Sequence, residues 1–300
     1  MPKAQVDALR AMLASRPQVG DDLEARRRGL EAMAARFPPP PGVTPQPLVI
    51  PAGPPVPATL FTPDGDHDTD RLVLYIHGGA FVVGSSRSHA ALTARLALAA
   101  GCPVLSLDQR LAPESPFPAA LDDCVAAASW AMEHRVAPRH LALAGDSSGG
   151  NLALATLLRL KAEWGPMPGA AALISPYLDL THSGASIRDR AHRDPFIDTA
   201  RMGFTAGLYL GGNATPEDPL ASPLFADLEG LPPLFVQVGE EEVLYDDAAR
   251  LVARARAAGV DATLDAWADM IHVFPWFTGL IDEGAEAIVR MGAWLRAKTG

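Results

Sequence analysis

The chain has 300 residues, of which 48% are hydrophobic and 20% charged, with a formal net charge of −10. That length can bury one large core and sits near the upper end of what a single domain spans. The acidic balance argues against nucleic acid or an anionic membrane surface as partner, because a phosphate backbone needs a basic patch. The one basic run, Arg26-Arg27-Arg28, lies in an amphipathic stretch and reads as a solvated helix face. Two cysteines, Cys102 and Cys124, cannot staple a chain of this size and show no metal-ligand spacing. They read as buried thiols in a reducing compartment. The N-terminus lacks the apolar core of a signal peptide, and no apolar run reaches the length of a membrane span. The expected location is the cytoplasm.

In chain order, residues 1 to about 36 read as two helices, with apolar positions at Val6, Leu9, Leu13, Leu23, Leu30 and Met33. Four prolines from Pro38 to Pro41 end them. A proline-rich stretch follows to about residue 62, and its β-like pieces, such as Leu48-Val49-Ile50, suit edge strands. Short, nearly continuous apolar runs then begin at Leu72, Val104, Leu141, Ala171 and Leu234. Such runs are the pattern of buried parallel strands covered by helices on both faces. Alanine-rich helical segments at about 88–100, 117–136 and 148–164 alternate with them, which predicts an open, mostly parallel α/β sheet flanked by helices. Residues 180 to about 225 interrupt the alternation with a Gly-, Asp- and Pro-rich insertion. With residues 1 to about 40, that insertion is expected to form a cap over the site, all within one domain spanning residues 1–300.

Two motifs carry chemistry. Leu141-Ala142-Leu143-Ala144 runs into Gly145-Asp146-Ser147-Ser148-Gly149-Gly150, and a helical pattern starts at once. Strand, Gly-x-Ser-x-Gly and helix together make a nucleophile elbow, with Ser147 on the strained turn. Alone, the motif would equally be a strand-to-helix turn. Upstream, Tyr75-Ile76-His77-Gly78-Gly79-Ala80-Phe81 also follows a strand. Consecutive glycines let backbone N–H groups converge on one point, and in acyl transfer that point is the oxyanion. Gly78, Gly79 and Ser148, the residue after the nucleophile, are the expected donors. His77 is read as a positioning residue of that loop.

These two motifs resemble those of the hormone-sensitive-lipase-like esterases. The resemblance extends through Asp108-Gln109-Arg110-Leu111-Ala112-Pro113-Glu114, Phe117-Pro118-Ala119-Ala120, Ser175-Pro176-Tyr177-Leu178-Asp179-Leu180 and Asp218-Pro219-Leu220-Ala221-Ser222-Pro223-Leu224. It implies an α/β-hydrolase fold with a helical cap, no cofactor, and hydrolysis of short- to medium-chain acyl esters. Gln109 stands where an aromatic is common, which reads as harmless. Ala80 replaces a third glycine, leaving Gly78 and Gly79 as donors in a narrower pocket.

A serine needs a base to become a nucleophile, and in this fold the chain order is Ser, acid, His. His182, His192 and His272 follow Ser147. The first two fall in the insertion, whereas His272 comes after the last strand candidate, residues 262–267, and is the expected base. The acid lies among Glu240, Glu241, Glu242, Asp246 and Asp247. The family pattern acid-x-Leu-x-Asp lays onto Glu242-Val243-Leu244-Tyr245-Asp246 and implies Glu242, with Asp246 as the alternative. Asp246 and Asp247 are otherwise expected to cap a helix over 248–258.

The reading is a serine carboxylesterase acting on a small-molecule ester. A lactonase or amidase with the same residues, or a non-catalytic small-molecule receptor on the fold, are the alternatives. Relatives often pair through the edge strand, here 262–267, so a homodimer is a further expectation.

Overall fold

The structure is a computed structural model that describes residues 2–16, 20–163 and 165–300. Residue 1, residues 17–19 and the expected last residue of the 148–164 helix lie outside the described residues. Eight strands form one sheet: β1 (Val43–Ile50), β2 (Val56–Pro63), β3 (Leu72–Ile76), β4 (Val104–Leu107), β5 (Leu141–Asp146), β6 (Ala170–Ile174), β7 (Leu234–Gly239) and β8 (Ala262–Trp267). Their order is β1-β2-β4-β3-β5-β6-β7-β8. β2 runs antiparallel to β1 and β4, and every pairing from β4 through β8 is parallel.

The proline-rich segment is the edge strand β1, as its prolines require: Pro45 and Pro47 lack the N–H that an interior ladder needs. In β3 the side chains alternate between two cores. Leu74 and Ile76 join one apolar cluster, while Val73 and Tyr75 join the other. Both faces are therefore dry, which is why the run reads as continuous rather than alternating.

Helices α4 (Ala119–His134), α5 (Ser148–Ala162) and α8 (Tyr245–Ala257) cover the first face through Leu121, Leu154 and Leu251. Helices α3 (Ala90–Ala100) and α9 (Asp282–Thr299) cover the second through Leu96 and Ile288. The N-terminal stretch is two helices, α1 (Pro2–Ala14) and α2 (Leu23–Ala34). α1 buries Val6, Leu9 and Leu13 in the second core. α2 buries no residue fully, and its Leu30 and Met33 face a cavity instead.

The insertion between β6 and β7 carries the short helices α6 (Ser186–Asp189) and α7 (Met202–Leu210). Both cysteines are free and buried. Among the described residues, no helix is long and apolar enough to cross a membrane.

Two expectations are corrected. The arginine run is not a solvated face: Arg28 is exposed, but Arg26 and Arg27 are half-buried. Arg27 turns inward because its guanidinium finds Glu114 at 2.8 Å and the carbonyl oxygens of Val82 and Ala112. Asp246 and Asp247 do not cap their helix, which begins earlier with Leu244 at the cap position. Their carboxylates accept N–H groups from other segments, Asp246 from Ser186 and Asp247 from Leu178 and Asp179.

Close approach of α3 and α9 depends on Gly292, where a Cβ would collide with the backbone of Ala99. Gly292→Ala is expected to destabilise the fold by about 1–3 kcal/mol through overpacking. Equilibrium urea unfolding would show this as a lower midpoint with an unchanged slope.

Candidate active site

All the pieces of the site hang from the carboxyl ends of the parallel strands. The oxyanion-loop candidate follows β3, Ser147 follows β5, Ser175 follows β6, Glu242 follows β7 and His272 follows β8. The order in which the chain adds parallel strands to the sheet reverses between β3 and β5, where open α/β sheets place their ligands.

Ser147 has φ 52° and ψ −119°, a conformation that L side chains rarely take. The turn closes because its flanks are glycines. A Cβ on Gly149 would overlap the Ile76 carbonyl oxygen, and one on Gly145 would overlap Gly149. The serine N–H donates to Ile174 O at 2.8 Å, tying the turn to β6.

The Ser147 hydroxyl lies 3.1 Å from His272 Nε2. On the other side of the ring, His272 Nδ1–H donates to Glu242 Oε2 at 2.6 Å. Glu242 is fully buried and His272 is 1% exposed. The second oxygen of Glu242 accepts from Gly239 N–H at 2.7 Å and Ser175 O–H at 2.9 Å, so this buried carboxylate is fully partnered. Burial raises the Glu242 carboxyl above its ordinary value against the pull of His272 and Gly239. Burial pulls the His272 imidazole downward, but the adjacent Glu242 carboxylate outweighs it and leaves it raised. Asp246, the alternative acid, bonds to Ser186 rather than to His272. His182 takes a hydrogen bond from Tyr177 O–H at 2.5 Å, and His192 is exposed. Neither is bonded to Ser147.

The oxyanion-loop expectation needs a correction at Gly78. Its N–H is already committed to Asp146 Oδ1 at 3.0 Å, so it does not face the serine. Gly79 and Ala80 line the cavity beside Ser147, and their N–H groups have no partner among the described residues. Ala80 sits at φ 53°, the left-handed conformation that a glycine would take more cheaply. Ser148 opens α5, where the first N–H groups of a helix have no intrahelical acceptor.

Asp146 anchors this loop. Oδ1 also accepts from Tyr75 O–H at 2.7 Å, and Oδ2 lies 3.4 Å from His89 Nε2. Burial pushes the Asp146 carboxyl up, but His89, Tyr75 and Gly78 outweigh it and hold it below the usual range. Burial and the neighbouring His89 pull His77 down to about 4, so it is neutral near pH 7. Its Nδ1–H donates to Gly78 O at 2.8 Å. Gln109 is buried and donates to His77 O at 2.9 Å, so the residue read as a harmless departure holds the loop.

Ser175 escaped sequence reading. At φ 46° its hydroxyl donates to Glu242 and accepts Val273 N–H at 3.0 Å, joining the acid to the backbone beside His272. Its signals were a Ser-Pro step after a strand and its place at the head of the Ser175–Leu180 segment of the family resemblance, neither of which gave it a role.

A cavity of about 760 Å³ opens over Ser147. Its floor is the sheet end, with Tyr177 and Trp276; Met33 from α2 and Phe196 and Met202 from the insertion cover it. That volume is typical of small-molecule sites.

The family model for the α/β-hydrolase fold matches residues 73–276. An acetyl-hydrolase of Streptomyces hygroscopicus is 47% identical over 230 residues, 77% of each chain. The chain belongs to the α/β-hydrolase family. An esterase of Acinetobacter venetianus is 38% identical over 73% of this chain and 72% of its own. The solved structure of an esterase from the bacterial hormone-sensitive lipase family superposes with a TM-score of 0.94 at 42% identity, covering 99% of both chains. Among α/β-hydrolases, this chain is one of the hormone-sensitive-lipase-like esterases.

Ser175→Ala would leave Val273 N–H buried and unpaired and Glu242 one donor short. A loss of about 1–3 kcal/mol in unfolding free energy is expected, measured by urea denaturation.

Proposed function

We propose that this carboxylesterase works through Ser147 as nucleophile, His272 as base and Glu242 as the acid that orients it. The observation that carries the reading is the buried, unbroken chain from Ser147 Oγ through the imidazole to Glu242, at 3.1 Å and 2.6 Å. With Nδ1–H directed at Glu242, Nε2 presents its lone pair to the serine hydroxyl. Ser147 Oγ attacks the acyl carbon as its proton passes to Nε2. The oxyanion is received by the N–H groups of Gly79, Ala80 and Ser148, with Ala80 in the place first assigned to Gly78. Imidazolium returns the proton to the departing alcohol, and water then repeats the sequence on the acyl-enzyme.

α1, α2 and the insertion serve as the cap, which the cavity lining from Met12, Met33, Phe196 and Met202 supports. A cavity of about 760 Å³ suits acyl groups of short to medium length. The intact base speaks against the receptor reading. β8 has one unpaired edge, which supports the homodimer expectation.

A panel of p-nitrophenyl esters from acetate upward tests the assignment. Ser147→Ala is expected to lose on the order of 10⁶ in kcat, and Glu242→Gln on the order of 10⁴. Asp246→Asn is expected to retain far more activity than Glu242→Gln; the reverse order would move the acid to Asp246. Undiminished hydrolysis by Ser147→Ala would remove the nucleophile assignment.

The pH profile is a second test. His272 acts as base only when neutral, so activity falls as pH drops through its pKa. Because Glu242 raises that pKa above the ordinary value of 6.5, the acid limb of kcat/KM should lie above 6.5 in the native enzyme. In Glu242→Gln, burial acts on the imidazole without a compensating carboxylate. The limb should then move to lower pH; an unmoved limb would show that Glu242 does not govern the base.

A further inference from the structure

Charged side chains also line the cavity, Asp198 among them. Four arginines line it: Arg16, Arg26, Arg36 and Arg201. Two are spoken for. Arg16 donates to the carbonyl oxygens of Leu13, Pro195 and Phe196 and lies over the Phe196 ring. Arg201 is paired with Asp198 at 3.0 Å and with Asp21. Arg36 is exposed to solvent.

Arg26 differs from all three. It is half-buried on α2, and among the described residues it makes no ion pair and no side-chain hydrogen bond. None of the undescribed residues is acidic. Its Nη1 is buried and has no acceptor among the described residues. The two carboxylates whose charge reaches it, Asp21 and Asp198, are both engaged by Arg201. Burial, then the repulsion of Arg201, pulls the Arg26 guanidinium below its ordinary value. A half-buried guanidinium with one N–H group unpaired and its nearest carboxylates shared with Arg201 is short of partners, and its planar fork matches a carboxylate.

We infer that Arg26 is a specificity residue that pairs with an anionic group on the substrate, so that the preferred esters carry a carboxylate remote from the reacting carbonyl. The inference rests on the proposed ester hydrolysis at Ser147, because the same cavity must hold both ends of the substrate. The carboxylate can reach Arg26 from the acyl part or from the alcohol part of the ester. The apolar part of the cavity wall, including Leu30, Met33 and Ile197, would hold the connecting carbons.

Two matched pairs separate those sources. Mono-4-nitrophenyl adipate against 4-nitrophenyl hexanoate places the charge on the acyl side. 4-Acetoxybenzoate against 4-acetoxybenzamide places it on the alcohol side. The readout is the ratio of kcat/KM, anionic over neutral, in the native enzyme, Arg26→Gln and Arg26→Lys, each checked for fold by its circular dichroism. On at least one arm the ratio should fall about tenfold in Arg26→Gln and be largely kept in Arg26→Lys, as expected for loss of one charge-assisted pair. A ratio that Arg26→Gln leaves unchanged on both arms overturns the inference while leaving the esterase reading in place. Equal loss on anionic and neutral esters in both variants overturns it as well, since that marks a structural residue. If the native enzyme hydrolyses none of the four esters, the esterase reading itself fails.

Discussion

The site depends on one cramped turn. Ser147 holds φ 52°, and the chain can pass through that conformation here only because the surrounding backbone comes into direct contact. Gly149 lies so close to Ile76 that no Cβ fits between them, and Gly150 is packed against Pro176. Those contacts pull the ends of β3, β5 and β6 to one point. The loop after β3, which carries Gly79 and Ala80, and the loop after β6, which carries Ser175, are thereby placed within reach of the serine. The strain is borne by a sheet whose two faces are both buried, so it does not relax into local disorder.

Polar groups then do what the apolar core cannot. Two buried carboxylates divide the work on either side of Ser147. Asp146 takes Gly78 N–H and Tyr75 O–H, which ties down the loop after β3 and leaves its next two residues, Gly79 and Ala80, lining the cavity. Glu242 takes Gly239 N–H and Ser175 O–H on one oxygen and His272 on the other. Each carboxylate is costly to bury, and its hydrogen bonds offset that cost: they outweigh burial at Asp146 and oppose it at Glu242. The same bonds hold the geometry. A carboxylate held at both oxygens by three partners is hard to swing, and so is the imidazole bonded to it.

How much of this was legible follows from the range over which each feature is encoded. Buried parallel strands announce themselves locally as short apolar runs, and the strand–glycine–serine–helix turn is local too. Chain order and a spaced family pattern pointed to His272 and Glu242, which the fold brings within 2.6 Å of each other. What was hidden depends on contacts across the fold. Gly78 and Ala80 are indistinguishable as donors until Asp146 is seen occupying one of the two N–H groups. Gln109 reads as a departure until its amide is seen on His77 O. Asp247 reads as a helix cap, yet it lies inside the first turn and serves the loop at Leu178 and Asp179. Arg26 reads as surface because a basic triplet on a polar helix usually is, and a cavity beside α2 leaves no trace in the sequence.

That last failure separates two kinds of structure in the molecule. Reactive groups come from strand ends locked into the two cores. The opposite wall comes largely from α2 and the insertion, and α2 buries none of its residues fully. It is held instead by polar ties: Arg27 to Glu114 and to carbonyl oxygens below it, Glu31 to Ser85 and Arg87. Such partly exposed ties contribute little stability each. The apolar side chains of α2 are left half-covered beside the cavity, so a bound substrate supplies contacts that the fold itself does not. α2 thus meets the two cores only through partly buried side chains such as Leu23, Leu30 and Met33, whereas Ser147, Glu242 and His272, at the strand ends, are all buried.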